Sequence, residues 1–103
     1  MEIKTLINLV RDWGTSREII GANAKATLET QFGKTLEEVQ ELHVAIHDND
    51  HDGITDGIGD TAVTLIMLSE LHGISFEDCI AFAYNQISSR TGKMVDGTFI
   101  KDQ

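Results

Sequence analysis

Leu28, Phe32, Leu36, Val39 and Ile46 recur at the spacing of a single helix face, and an apolar stripe sustained over that length commits the chain to a long amphipathic helix. The stripe predicts a helix from about Ala24 to Ile46, with Gly33 as its weak point because an interior glycine costs about 1 kcal/mol relative to alanine. Shorter stripes flank it. Ile3, Leu6, Ile7 and Val10 predict a first helix that ends before Trp13-Gly14, followed by a loop through Thr15 and Ser16. After the polar stretch His47 to Gly53, the residues Ile54, Ile58, Ala62 and Leu65 begin a third helix that runs to about Leu71 and is stopped by Gly73. Ser75-Phe76-Glu77-Asp78 is a variant capping box opening a fourth helix through Ile80, Ala83, Tyr84 and Ile87. The chain has no proline, which suits an all-α domain. Beyond Ser89, Asp96-Gly97 between two short apolar pairs predicts a tight turn or small hairpin.

A chain of 103 residues forms one domain, residues 1–103, near the size at which helical proteins often complete their burial by oligomerising. Its net charge of −9 argues against a duplex nucleic-acid binder, which needs a basic face to neutralise phosphates. Cys79 is the only cysteine, so no disulfide can form within the chain, and its apolar neighbours Ile80 and Ala81 predict a buried free thiol. No charged-then-apolar signal segment opens the chain, and the longest apolar run, Thr61 to Leu68, is too short to span a bilayer. A cytoplasmic protein with no membrane association is the expectation.

Two acidic clusters fall on consecutive predicted helices. Glu37, Glu38 and Glu41 share a face of the second, and Asp56 and Asp60 share a face of the third. Two unit charges 4 Å apart repel by roughly 4 kcal/mol at a protein-like dielectric, so five carboxylates around one volume need a cation, protons or solvent to offset them. Asp60 lies on the stripe of Met67 and Leu71, and Glu38 on that of Leu42 and Ala45, which turns both toward the partner helix. A carboxylate facing a core is costly unless paired or metal-bound. Lys34 is the nearest basic residue, so a hard divalent cation with oxygen ligands, magnesium or else manganese, is the better expectation.

Two rival sites lie nearby. Asp48-Asn49-Asp50-His51-Asp52-Gly53 matches the first six positions of an EF-hand loop, but Gly59 stands where a bidentate glutamate is required. His43, His47 and His51 recur every four residues, a zinc-compatible spacing without a matching cysteine or acidic signature. A calcium-binding helical module using the Asp48–Gly53 loop and a non-catalytic helical interaction protein are therefore the alternatives to a metal-dependent enzyme.

These residues resemble the MazG-like, all-α nucleoside triphosphate pyrophosphohydrolases, particularly the short phage-type members. Glu37-Glu38-Val39-Gln40-Glu41 is similar to the first half of the family's acidic pattern, and Asp60 to its final acid. The glutamate expected three residues before Asp60 is replaced by Gly57, with Asp56 one place further back. Trp13-Gly14, Lys34, and the tail from Asn85 through Arg90, Lys93 and Lys101 also resemble family sequence. The resemblance implies a four-helix unit assembling as a dimer or dimer of dimers, and hydrolysis of a nucleoside triphosphate, in particular a dNTP, between its α- and β-phosphates. It implies magnesium held by Glu38, Glu41 and Asp60 with Asp56 or Glu37 completing the shell, and Glu37 or Glu38 as the base. It further implies that Lys34, Arg90, Lys93 and Lys101 meet phosphate and that Asn85 hydrogen-bonds substrate. Trp13 either stacks on the base or belongs to the core.

Overall fold

The computed structural model describes residues 1–103 as four helices followed by a hairpin: α1 (Ile3–Ser16), α2 (Leu28–His47), α3 (His51–His72), α4 (Phe76–Ile87), β1 (Gly92–Val95) and β2 (Thr98–Lys101). Helix α1 runs through Trp13-Gly14 rather than ending before it. Gly14 is buried against the Met67 side chain of α3, so a residue that looks like a helix breaker instead permits a close interhelical approach. Helix α2 begins at Leu28, later than the stripe predicts, because Thr27 and Thr30 form a reciprocal capping box there. Helix α3 begins earlier than predicted: the Asp50 side chain accepts from the Gly53 amide at 3.0 Å, drawing His51 to Gly53 into the first turn. Gly73, at φ 86°, terminates α3 in the left-handed conformation, and Ser75 caps α4. The tail is a hairpin, pairing Gly92 with Lys101 and Val95 with Thr98 across a turn in which Asp96 and Gly97 both take positive φ.

Asp48 to Asp50 alone join α2 to α3. A twelve-residue calcium loop therefore does not exist, since its later positions are helical, and the calcium-module alternative loses its structural basis. His51 lies beyond the reversal, so the three histidines do not share one helix face.

Helices α2 and α3 form the main hairpin, yet the apolar core lies elsewhere. Ile7, Ile20, Ile66 and Met67 form it, with Val10, Ile19, Leu71 and Phe76 packed around them, joining α1, the following loop, α3 and the start of α4. Arg11 reinforces that junction by hydrogen bonding Glu77 and approaching Glu70 at 3.4 Å. The α2 face turned to α3 carries Gln31, Thr35 and Ala45, all buried, with Glu38 and Leu42 on the same stripe. The apolar stripe itself faces outward, Phe32 and Leu36 being 52% and 51% exposed. Only 11 of 103 residues are buried, and the radius of gyration of 15.9 Å exceeds the roughly 13 Å of a compact chain this long. No helix is long and apolar enough to cross a membrane.

Candidate active site

The acids reach the α2/α3 seam because α2 turns its polar stripe inward. Glu38 lies on that stripe, its side chain only 13% exposed, with Lys34 Nζ 3.8 Å from Oε1. Its other oxygen, Oε2, is the one buried side-chain nitrogen or oxygen in the protein without a hydrogen-bond partner. Burial foremost, then the neighbouring Glu41 and Asp60 carboxylates, hold the Glu38 carboxyl above its ordinary range. An oxygen left buried and unpaired among acids is stabilised either by a proton or by a cation.

Asp60 lines three cavities, two of which also take residues from α2. One, of about 360 Å³, is lined by Glu41, Asp48, Asp50, Asp56 and Asp60, with Val44, Ala45, Gly53 and Gly57 between them. The other, of about 380 Å³, is bounded by Lys34, Glu38 and Asp60 at a charged side and by Trp13, Ile19, Val63 and Met67 at an apolar one, with Gln31 and Thr64 completing its wall. A site with carboxylates and a lysine at one end and an aromatic ring at the other has the division of a nucleotide, polar phosphates and a flat base on opposite ends of a sugar. The side chains as they stand do not gather three His, Cys, Asp or Glu residues into a ready metal-binding group. The donor set nevertheless suits a hard cation: all the candidate ligands are carboxylate oxygens, and one is orphaned.

The glycine in place of the expected glutamate is tightly packed. Gly57 is buried where α3 crosses Leu42 of α2, and a Cβ there would lie 3.0–3.2 Å from the Leu42 side chain and Cα. A side chain at residue 57 would require Leu42 to give by a few tenths of an ångström, whereas Asp56, one residue earlier, lines the acidic cavity beside Asp60.

Of the residues expected from the sequence, Glu41, Asp56 and Asp60 share the acidic cavity, while Trp13, Lys34, Glu38 and Asp60 share the other. Trp13 is 44% exposed on that wall, with Arg17 over its ring at 4.6 Å, so it is not a core residue. Glu37 is exposed, with Lys34 Nζ 3.5 Å from its Oε1, and lines neither cavity. Asn85, Arg90, Lys93 and Lys101 are exposed on α4 and the tail and line neither. Gln31 and Thr64 were not singled out as site residues, and Asp48 and Asp50 only as part of the calcium-loop alternative. The Gln31-Thr35-Glu38 succession at helical spacing was the readable signal.

No curated protein and no solved structure matches the chain. The sequence profile of the MazG nucleotide pyrophosphohydrolase domain matches residues 26–95, from the residue before the α2 cap through the first strand of the hairpin. With two thirds of its length matched, including both acid-bearing helices, the chain belongs to the MazG nucleotide pyrophosphohydrolase family.

Proposed function

We propose that the protein hydrolyses nucleoside triphosphates, dNTPs in particular, between the α- and β-phosphates in a reaction dependent on a divalent cation. Water attacks the α-phosphorus, the bond to the bridging oxygen breaks toward the β-phosphate, and the products are a nucleoside monophosphate and pyrophosphate. The observation that carries this reading is the buried, unpartnered Glu38 Oε2 beside Glu41 and Asp60, on the wall of a cavity that ends at Trp13.

Glu38, Glu41 and Asp60, with Asp56 in place of the absent glutamate, are the residues that would hold magnesium or manganese. The cation supplies charge neutralisation at phosphate and a lowered pKa for the attacking water. Glu38 is assigned the proton-accepting role over Glu37, because it is turned into the cavity while Glu37 is exposed and lies beside Lys34. Lys34 meets phosphate, and Trp13 offers its ring to the base.

We further propose that the working form is a homodimer or a dimer of dimers. The outward stripe Phe32, Leu36, Val39 and the exposed Ile80, Tyr84 and Ile87 of α4 are more apolar surface than a lone protomer of this size normally leaves in water. Asn85, Arg90, Lys93 and Lys101 lie outside the cavities of their own protomer, so in this reading a second copy brings them to the phosphates.

The test is pyrophosphate release from a panel of NTPs and dNTPs with magnesium, with manganese and with chelator. Metal-dependent formation of monophosphate and pyrophosphate is expected. Orthophosphate as the product, or undiminished turnover in chelator, would refute the assignment.

A further inference from the structure

We propose that Gln31 selects the nucleobase, its side-chain carbonyl oxygen accepting a hydrogen bond from an N–H on the base edge remote from the sugar. The proposal rests on the reading of the Trp13 cavity as a nucleotide site. Gln31 is 93% buried on the wall of that cavity, as its 7% relative exposure states, yet its amide is only half used. Nε2 donates to the Thr64 carbonyl at 3.5 Å, and no side chain or backbone group donates to Oε1.

That single bond fixes which way the amide points. The Thr64 carbonyl can only accept, so the NH2 end must face α3 and the oxygen is the end left free. Glu38 Oε2 is the sole fully enclosed side-chain orphan, so the free Gln31 oxygen retains some exposure, and Gln31 is one of the residues lining the cavity. The amide is also held in place from behind. Thr35 bonds the Gln31 backbone carbonyl at 3.2 Å and the Thr64 hydroxyl at 3.0 Å, tying the same turn of α2 to α3. A pre-oriented acceptor beside an indole ring and across from a carboxylate end is the arrangement that reads a base edge.

The chemistry sets what is recognised. Every common base presents an N–H on that edge, at N3 of thymine and uracil, N4 of cytosine, N6 of adenine and N1 and N2 of guanine, so a fixed oxygen ranks the bases by where that N–H falls. A base whose N–H falls elsewhere or is methylated leaves the oxygen covered and unpaired, at a loss of about five- to a hundredfold in affinity. Trp13, the only tryptophan, lies on the same wall and reports occupancy by its fluorescence.

The experiment titrates the full-length protein with the common nucleosides, and with N-methylated counterparts lacking the edge N–H (3-methylthymidine, N4,N4-dimethylcytidine, N6,N6-dimethyladenosine), following Trp13 quenching without metal. We expect one nucleoside to be preferred about tenfold or more, the N-methylated form of the preferred base to lose that preference, and Gln31→Leu and Gln31→Met to level the ranking to within about threefold. An N-methylated form that binds as well as its parent, a ranking unchanged in either folded variant, or no quenching by any nucleoside would overturn the proposal. The methylated ligands test the wild-type protein, so an unfolded variant does not protect the idea. Gln31-dependent nucleoside binding without pyrophosphate release would refute the hydrolase reading alone. Turnover whose base ranking ignores Gln31 would refute this inference alone.

Discussion

Thr35 and Thr64 meet hydroxyl to hydroxyl at 3.0 Å, the one side-chain-to-side-chain hydrogen bond joining α2 to α3. Both threonines are buried, and each hydroxyl also reaches a carbonyl of its own helix, Gln31 at 3.2 Å and Thr61 at 2.7 Å. The seam that carries the acids is thus closed by polar groups rather than by the apolar stripe of α2. Thr64→Val and Thr35→Val keep the volume and remove one hydroxyl each, and should each cost about 1 kcal/mol in denaturant unfolding. The double variant should cost less than the sum, with a coupling of about 0.5–1.5 kcal/mol. Strict additivity would mean that the two hydroxyls act only on their own helices.

Glu41→Gln and Asp60→Asn should each lower kcat/KM for pyrophosphate release by roughly a hundredfold or more while circular dichroism remains that of the wild type. Normal turnover in both would remove these acids from the mechanism.

Asp56→Ala tests whether the neighbour replaces the glutamate absent at Gly57, and should weaken activation by magnesium about ten- to a hundredfold. Restoring the family residue with Gly57→Glu should not help. The added side chain meets Leu42 across the seam, and overpacking of this kind costs about 1–3 kcal/mol, to be read as a lowered Tm together with lost activity.

Glu38 links activity to pH. Its folded-state pKa is raised, by burial first and then by Glu41 and Asp60, so in chelator the stability due to its protonated form is present at low pH and is lost as pH rises through that raised value. Glu38→Gln should therefore raise the Tm of the metal-free protein at pH 8, leave it nearly unchanged at pH 4, and abolish turnover at both. A lowered Tm at pH 8 in chelator would show that the ionised carboxylate stabilises the fold.

Leu36→Asp places a charge in the outward stripe without touching the α2/α3 seam. Light scattering should show a smaller species than the wild type, and activity should fall with it. A wild-type protein that is monomeric at micromolar concentration would show that the stripe is not a contact between copies.

The Leu28-to-Ile46 stripe revealed a long helix, but it did not reveal that the stripe turns away from α3. Periodicity reports the face that avoids water, and a partner subunit satisfies it as well as a core does. The Asp48–Gly53 stretch misled for a local reason: Asp50 can either ligate a cation or cap a helix, and the amide of Gly53 decides between them. Glu38 and Asp60 were legible as inward-facing acids because each sits on a stripe with residues that the fold buries or half-buries, Ala45 and Met67 among them. Gln31 was overlooked because a lone glutamine before an acidic motif has no signature of its own.

The amino-acid sequence by itself determined the four helices, the terminal turn at Asp96-Gly97, the acid-bearing pair of helices and the family, since all of these depend on local propensity and spacing. Only the tertiary structure decided that the Leu28-to-Ile46 stripe turns away from α3, that Gly57 packs directly on Leu42 while Asp56 lines the acidic cavity, and that Trp13 and Gln31 share a wall with Glu38. Those outcomes depend on how closely two helices approach and on which atoms remain unpaired once they do, quantities that arise between segments and are written in neither of them.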